Sequence, residues 1–180
     1  INLGITGIPA QEIVQSERTT SISRDHVMAK LDPVDLSQTL SPRILVQLAL
    51  NAVQNLEAKD PGSNDRSPVD PQKSMMLTLL GYCYASGIYG SQQMAQATRH
   101  DPMANYICAR AYPNEKAIRQ FRRSCRPLIK NCLISILQQA WALRCQQNGL
   151  DPEVRDNLAE GWSRQIEKSA QGRLEVATFA

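Results

Sequence analysis

Apolar residues recur at three- and four-residue intervals along most of the chain, and no stretch alternates convincingly with period two. That pattern predicts helices rather than strands. Ile44, Leu45, Leu48, Ala49, Ala52, Val53 and Leu56 form one stripe, and Ser41-Pro42 ahead of it supplies an N-cap and a first-turn proline. Residues 58–71, AKDPGSNDRSPVDP, break the periodicity with three prolines and a glycine and read as a linker. Asp70-Pro71 then caps and opens a helix from Gln72 to about Ser86, with Met76, Leu79, Leu80 and Cys83 inward and Gly87 as its stop. Ser91 caps a helix from Gln92 to about His100 with Met94, Ala97 and Thr98 inward, and a short helix follows over Met103–Ala109. Pro113-Asn114 opens the next helix, which ends near Arg126, because Pro127 suits the first turn of a new helix better than the interior of an old one. That new helix runs to about Gln147 and is closed by Asn148-Gly149. Asp151-Pro152 starts the last helix, with Val154, Leu158, Trp162, Ile166 and Leu174 inward. Residues 1–20 read as extended or disordered, and a short helix starts at Ser23 or Asp25 and ends before Pro33.

The expected fold is therefore all-α, a multi-helix bundle containing a helix-turn-helix-like segment. Its expected parts are an N-terminal segment 1–57 with the amphipathic helix 42–57, a linker 58–71, a helical domain 72–147 and a C-terminal helix 151–180.

Charge changes this picture. The formal net charge is only +3, yet residues 71–150 hold ten Lys and Arg against Asp101 and Glu115 alone, while both flanks are net acidic. Six of the cations, Lys116, Arg119, Arg122, Arg123, Arg126 and Lys130, lie within residues 113–131. Wound as one continuous helix, they occupy about a third of its circumference, opposite Ile118, Phe121, Cys125 and Leu128. A merely solvated helix would interleave acids with its cations for i,i+4 pairing, and here Glu115 stands alone. Such a face, on a helix packed behind two earlier ones, is the arrangement with which a helix-turn-helix protein meets DNA. The candidate contacts are Asn114, Lys116, Arg119, Gln120 and Arg123, with Arg122 and Arg126 at the edges and Lys130 beyond. Ser91 and Gln92, at the start of the helix that ends near His100, complete the set. Double-stranded DNA is the expected partner; RNA is a weaker alternative, since the segment offers only Tyr112 and Phe121 for stacking on unpaired bases. A homo-oligomer, or an acidic protein partner, is the competing explanation of the same face.

Other chemistry is thinly represented. Cys83, Cys108, Cys125, Cys132 and Cys145 are scattered without a Cys-x-x-Cys pair, and His26 and His100 are the only histidines. No metal-ligand spacing results, and the thiols read as small packed hydrophobes. Trp141 and Trp162 read as packing anchors. No catalytic residue, metal or cofactor is expected. No apolar run approaches the ~18 residues of a membrane span, and the first residues lack a charged start leading into an apolar stretch. The chain begins at Ile1 rather than Met, as a trimmed chain or a piece of a longer one would. A cytoplasmic location, on the nucleoid if DNA is the partner, is the expectation.

MMLTLLGYCYASGIYGSQQMAQATRHD followed by PNEKAIRQFRR resembles the N-terminal domain of bacterial insertion-sequence transposases of the DDE type. The likeness runs through Met75, Met76, Leu77, Leu79, Leu80, Tyr82, Tyr84, Gly87 and Ile88, then Ser91, Met94, Ala97, Arg99 and Asp101, then Pro113, Ile118, Phe121, Arg122 and Arg123. Asn114 stands where that family usually has Asp, and Glu115-Lys116-Ala117 replaces its polar run. Arg173 to Ala177 is similar to the end of short relatives that stop before the catalytic domain. The resemblance implies a DNA-end-binding module without the Asp, Asp and Glu set that holds two metal ions. Asp151, Glu153, Asp156 and Glu160 share one predicted helix and suit its N-terminal dipole instead. The implied protein is a non-catalytic, transposase-derived DNA binder, or else the N-terminal fragment of a full transposase.

Overall fold

The structure, a computed structural model, describes residues 36–58, 70–147, 149 and 152–179. The extended start, the short helix before Pro33 and most of the linker lie outside them, as do the side chains of Val154 and Leu158. Every regular element among the described residues is a helix: α1 Leu36–Thr39, α2 Pro42–Ala58, α3 Pro71–Ala85, α4 Ser91–His100, α5 Pro102–Cys108, α6 Glu115–Ser124, α7 Arg126–Gln147 and α8 Pro152–Phe179. The fold is an all-α multi-helix bundle. Among the described residues, no helix is long and apolar enough to cross a membrane.

The middle of the bundle is α3, which packs on α2, α5 and α7. All its residues from Met76 to Ala85 are buried, including Thr78 and Gly81. A helix apolar all round belongs in a core, and glycine lets this one come close. A Cβ on Gly81 would stand 2.8 Å from Ile136 Cδ1 and 3.2 Å from Cys132 Sγ, both on α7. The stripe read along α2 is its buried side, with Leu45, Leu48, Ala49, Ala52 and Val53 joined by Val46. It packs on α3 and α7, so the helices before and after the linker share one core.

Caps set the boundaries where short-range chemistry dictates them. Asp70 accepts from Gln72 N at 3.0 Å, and Asp101 accepts from Met103 N at 2.8 Å ahead of Pro102. Gly87, at φ 79°, ends α3: Ile88 N donates to Cys83 O at 2.8 Å and Gly87 N to Tyr84 O at 3.4 Å, the paired bonds that close a helix through a left-handed residue. The start of α4 differs from expectation. Gly90 is its N-cap and Ser91 its first residue, because the Ser91 hydroxyl is buried and engaged elsewhere, as described below. Between α5 and α6, Ala109, Arg110 and Tyr112 all adopt positive φ without being glycine.

On α7, Trp141 faces Trp162 of α8 with ring centroids 5.8 Å apart. Trp162, Ile166, Ala170, Leu174 and Ala177 are the buried stripe of α8.

Candidate nucleic-acid interface

Asn114 caps α6 by accepting from Ala117 N at 2.8 Å, and Ile118 is its fully buried anchor. The helix packs on α4 and α7. Phe121 is only half-buried. The helix stops at Ser124, whose hydroxyl turns back to Gln120 O at 3.2 Å and Phe121 O at 3.3 Å. Cys125 breaks the chain's path, and Arg126 starts α7 with Pro127 in its first turn. The cationic segment is therefore two helices, and the break resets the register. On α7 it is Ile129 that is buried, while Leu128 stays half-exposed.

This division distributes the cations. Lys116, Arg119 and Arg123 are exposed on α6 and line an open groove with Gln120 and Ser124. Arg119 pairs with Glu115 one turn earlier. Arg122 leaves this ridge: it is half-buried, and its Nη1 donates to Ser91 Oγ at 2.6 Å, tying α6 to the first residue of α4. Arg126, exposed, and Lys130, half-buried, belong to α7. Gln92 is exposed on α4 and lines neither the groove nor the recess that follows.

Arg119, Arg122, Arg123 and Arg126 converge on a second feature, a recess of about 580 Å³ floored by Tyr84, Ser91 and Ile129. No described carboxylate lies within ion-pairing distance of Arg122, Arg123 or Arg126. Burial pushes the Tyr84 phenol's pKa up, and the positive charges of Arg122 and Arg126 pull against that shift. The far wall is the end of α8, with Leu174, Ala177 and the exposed Thr178.

Arg173 holds that wall in place. Its side chain is 6% exposed, and Nη1 donates to Tyr84 O at 2.7 Å and to Tyr89 Oη at 3.3 Å. A guanidinium at a carbonyl of the last turn of α3 meets the negative end of that helix. Tyr84 and Tyr89 stack beside it at 5.9 Å. Sequence periodicity misses Arg173 and Thr178 as parts of this surface, since they lie about fifty residues beyond the basic segment. The Arg-Leu-x-x-Ala pattern is the signal that marks the place, not the role.

No family model, no curated protein and no solved structure matches this chain.

Proposed function

We propose that the chain is a non-catalytic DNA-binding protein that meets the duplex with the outer face of α6. The observation that carries this reading is the exposed triad Lys116, Arg119 and Arg123 on a helix anchored from behind by Ile118. Phosphate affinity comes from such cations. Gln120 stands in the same groove as a base-reading side chain. The pairing of α4 with α6 supports a helix-turn-helix-like use of the two. The resemblance to the N-terminal domain of insertion-sequence transposases supports the same reading, a binding module kept without the metal chemistry and located where DNA is.

The test is fluorescence anisotropy with a mixed-sequence duplex between about 50 and 200 mM salt. The wild type is compared with a Lys116→Ala, Arg119→Ala, Arg123→Ala variant whose helicity is checked by circular dichroism. Each lost phosphate contact lowers the slope of log K against log salt by about 0.9, so three remove about 2.7. Equal slopes for the two proteins, or no duplex binding by the wild type at 50 mM salt, would refute the reading; an acidic protein partner for the α6 face would then be sought.

A further inference from the structure

The recess between the end of α3, the α6–α7 junction and the end of α8 is distinct in shape from the ridge of α6. A duplex meets a ridge, where each phosphodiester brings one negative charge to one or two exposed cations. The recess instead aims several guanidiniums at one space. Arg122 and Arg126 line it and not the groove, and Arg119 and Arg123 line both. Planar guanidiniums bind phosphoryl oxygens through paired hydrogen bonds. The Ser91 hydroxyl already fixes Arg122, so one of these groups is held in place before any ligand arrives. About 580 Å³ is the size of a small-molecule site, and three of its four arginines have no described carboxylate to neutralise them.

We propose that this recess is a binding site for a free oligophosphate, a compact anion of several linked phosphoryl groups such as the phosphate chain of a nucleotide. Ligand oxygens take the guanidinium donors of Arg122 and Arg126, with Arg119 and Arg123 closing over the outer end. Ile129, Leu174 and Ala177 line the recess as well, giving it an apolar side for whatever the phosphate chain carries. The docking of α8 by Arg173 completes the site, so the last turns of α8 serve to build it. This reading does not depend on duplex binding.

Inorganic tripolyphosphate is the probe, titrated calorimetrically into the whole chain at 150 mM salt, with orthophosphate alongside. Saturable binding near one equivalent is expected, at least tenfold tighter than for orthophosphate. Thr178→Glu places a carboxylate in the recess from α8 without touching α6, and should weaken tripolyphosphate by tenfold or more. Losing two charge-assisted contacts in R122Q/R126Q should weaken it by roughly a hundredfold. Lys116→Gln, outside the recess, should change it less than about threefold. Absence of saturable binding would overturn the proposal, and so would equal weakening by T178E and K116Q, the mark of a diffuse field. Duplex anisotropy measured on the same variants separates the sources: if T178E weakens only duplex binding, the recess seats a backbone phosphate and the oligophosphate reading fails. If tripolyphosphate binds as expected while duplex does not, the DNA reading alone fails.

Discussion

Arg173→Met tests whether a buried guanidinium, rather than apolar packing alone, fastens the end of α8. Methionine keeps an unbranched apolar stem and good helix propensity, so the substitution removes the polar contacts of the guanidinium, the hydrogen bonds to Tyr84 O and Tyr89 Oη among them. A hydrogen bond from a charged donor contributes about 1.5–3 kcal/mol. The 2.7 Å bond to a helix-terminal carbonyl belongs in the upper part of that range and the 3.3 Å bond adds little. Against this, methionine escapes the desolvation cost of a guanidinium 6% exposed. Tyr84 O also keeps its 3.4 Å bond from Gly87 N, so the carbonyl is not orphaned. The net expectation is a loss of about 2 kcal/mol, with Arg173→Lys between it and the wild type, because an ammonium keeps the charge but not the planar fork. Urea unfolding followed by far-ultraviolet circular dichroism measures the difference. An Arg173→Met protein as stable as the wild type would refute the reasoning, since desolvation would then cancel all that the hydrogen bonds contribute.

Gly81→Ala gains helix propensity of up to about 1 kcal/mol but drives a Cβ into Ile136, so a net loss of about 1–2 kcal/mol is expected. Ile136→Val, which deletes the clashing Cδ1, should recover about 1 kcal/mol of it in a double-mutant cycle read by urea unfolding. Asn114→Ala should cost about 1 kcal/mol through loss of the α6 cap, whereas Asn114→Asp should be tolerated, both read by thermal melting. Burial pushes the Cys108 thiol up to about 11 and Cys132 up to about 12, and raises Cys83 further, with Asp101 adding to that shift. The unfolded chain loses these protons near pH 8.5–9 while the folded chain keeps them. Stability should therefore be unaffected at pH 7 and fall above about pH 9, by up to about 4 kcal/mol per pH unit for three thiols. A urea midpoint unchanged between pH 7.5 and 10 would contradict that.

Local chemistry made much of this fold legible. Asp70-Pro71, Asn114 and Pro127 act within one turn of their own position, and the helices begin where those residues place them, to within a residue. The stripe of α2 and the inward positions Trp162, Ile166 and Leu174 of α8 follow from periodicity alone. What was not legible depends on contacts between distant segments. Ser91 reads as a cap, yet its hydroxyl is taken by Arg122 from 31 residues away. Arg122 reads as the edge of one cationic face that runs on past Cys125, where the helix in fact stops. Arg126 and Lys130 belong to another helix, and one face becomes a ridge and a recess. The second wall of that recess comes from α8, which no pattern within 113–131 encodes.

The break at Cys125 also bears on motion. A helix of ten residues has little stability of its own, and α6 buries fully only Ile118, whereas ten consecutive residues of α3 are buried. Local opening follows the thinnest packing, so backbone amides of α6 exchange with solvent well before those of α3. Lys116, Arg119, Arg122 and Arg123 thus ride on a helix that opens more readily than α3, and a polyanion that holds them together would stiffen it, so that ligand occupancy is written in the exchange rates of α6 itself.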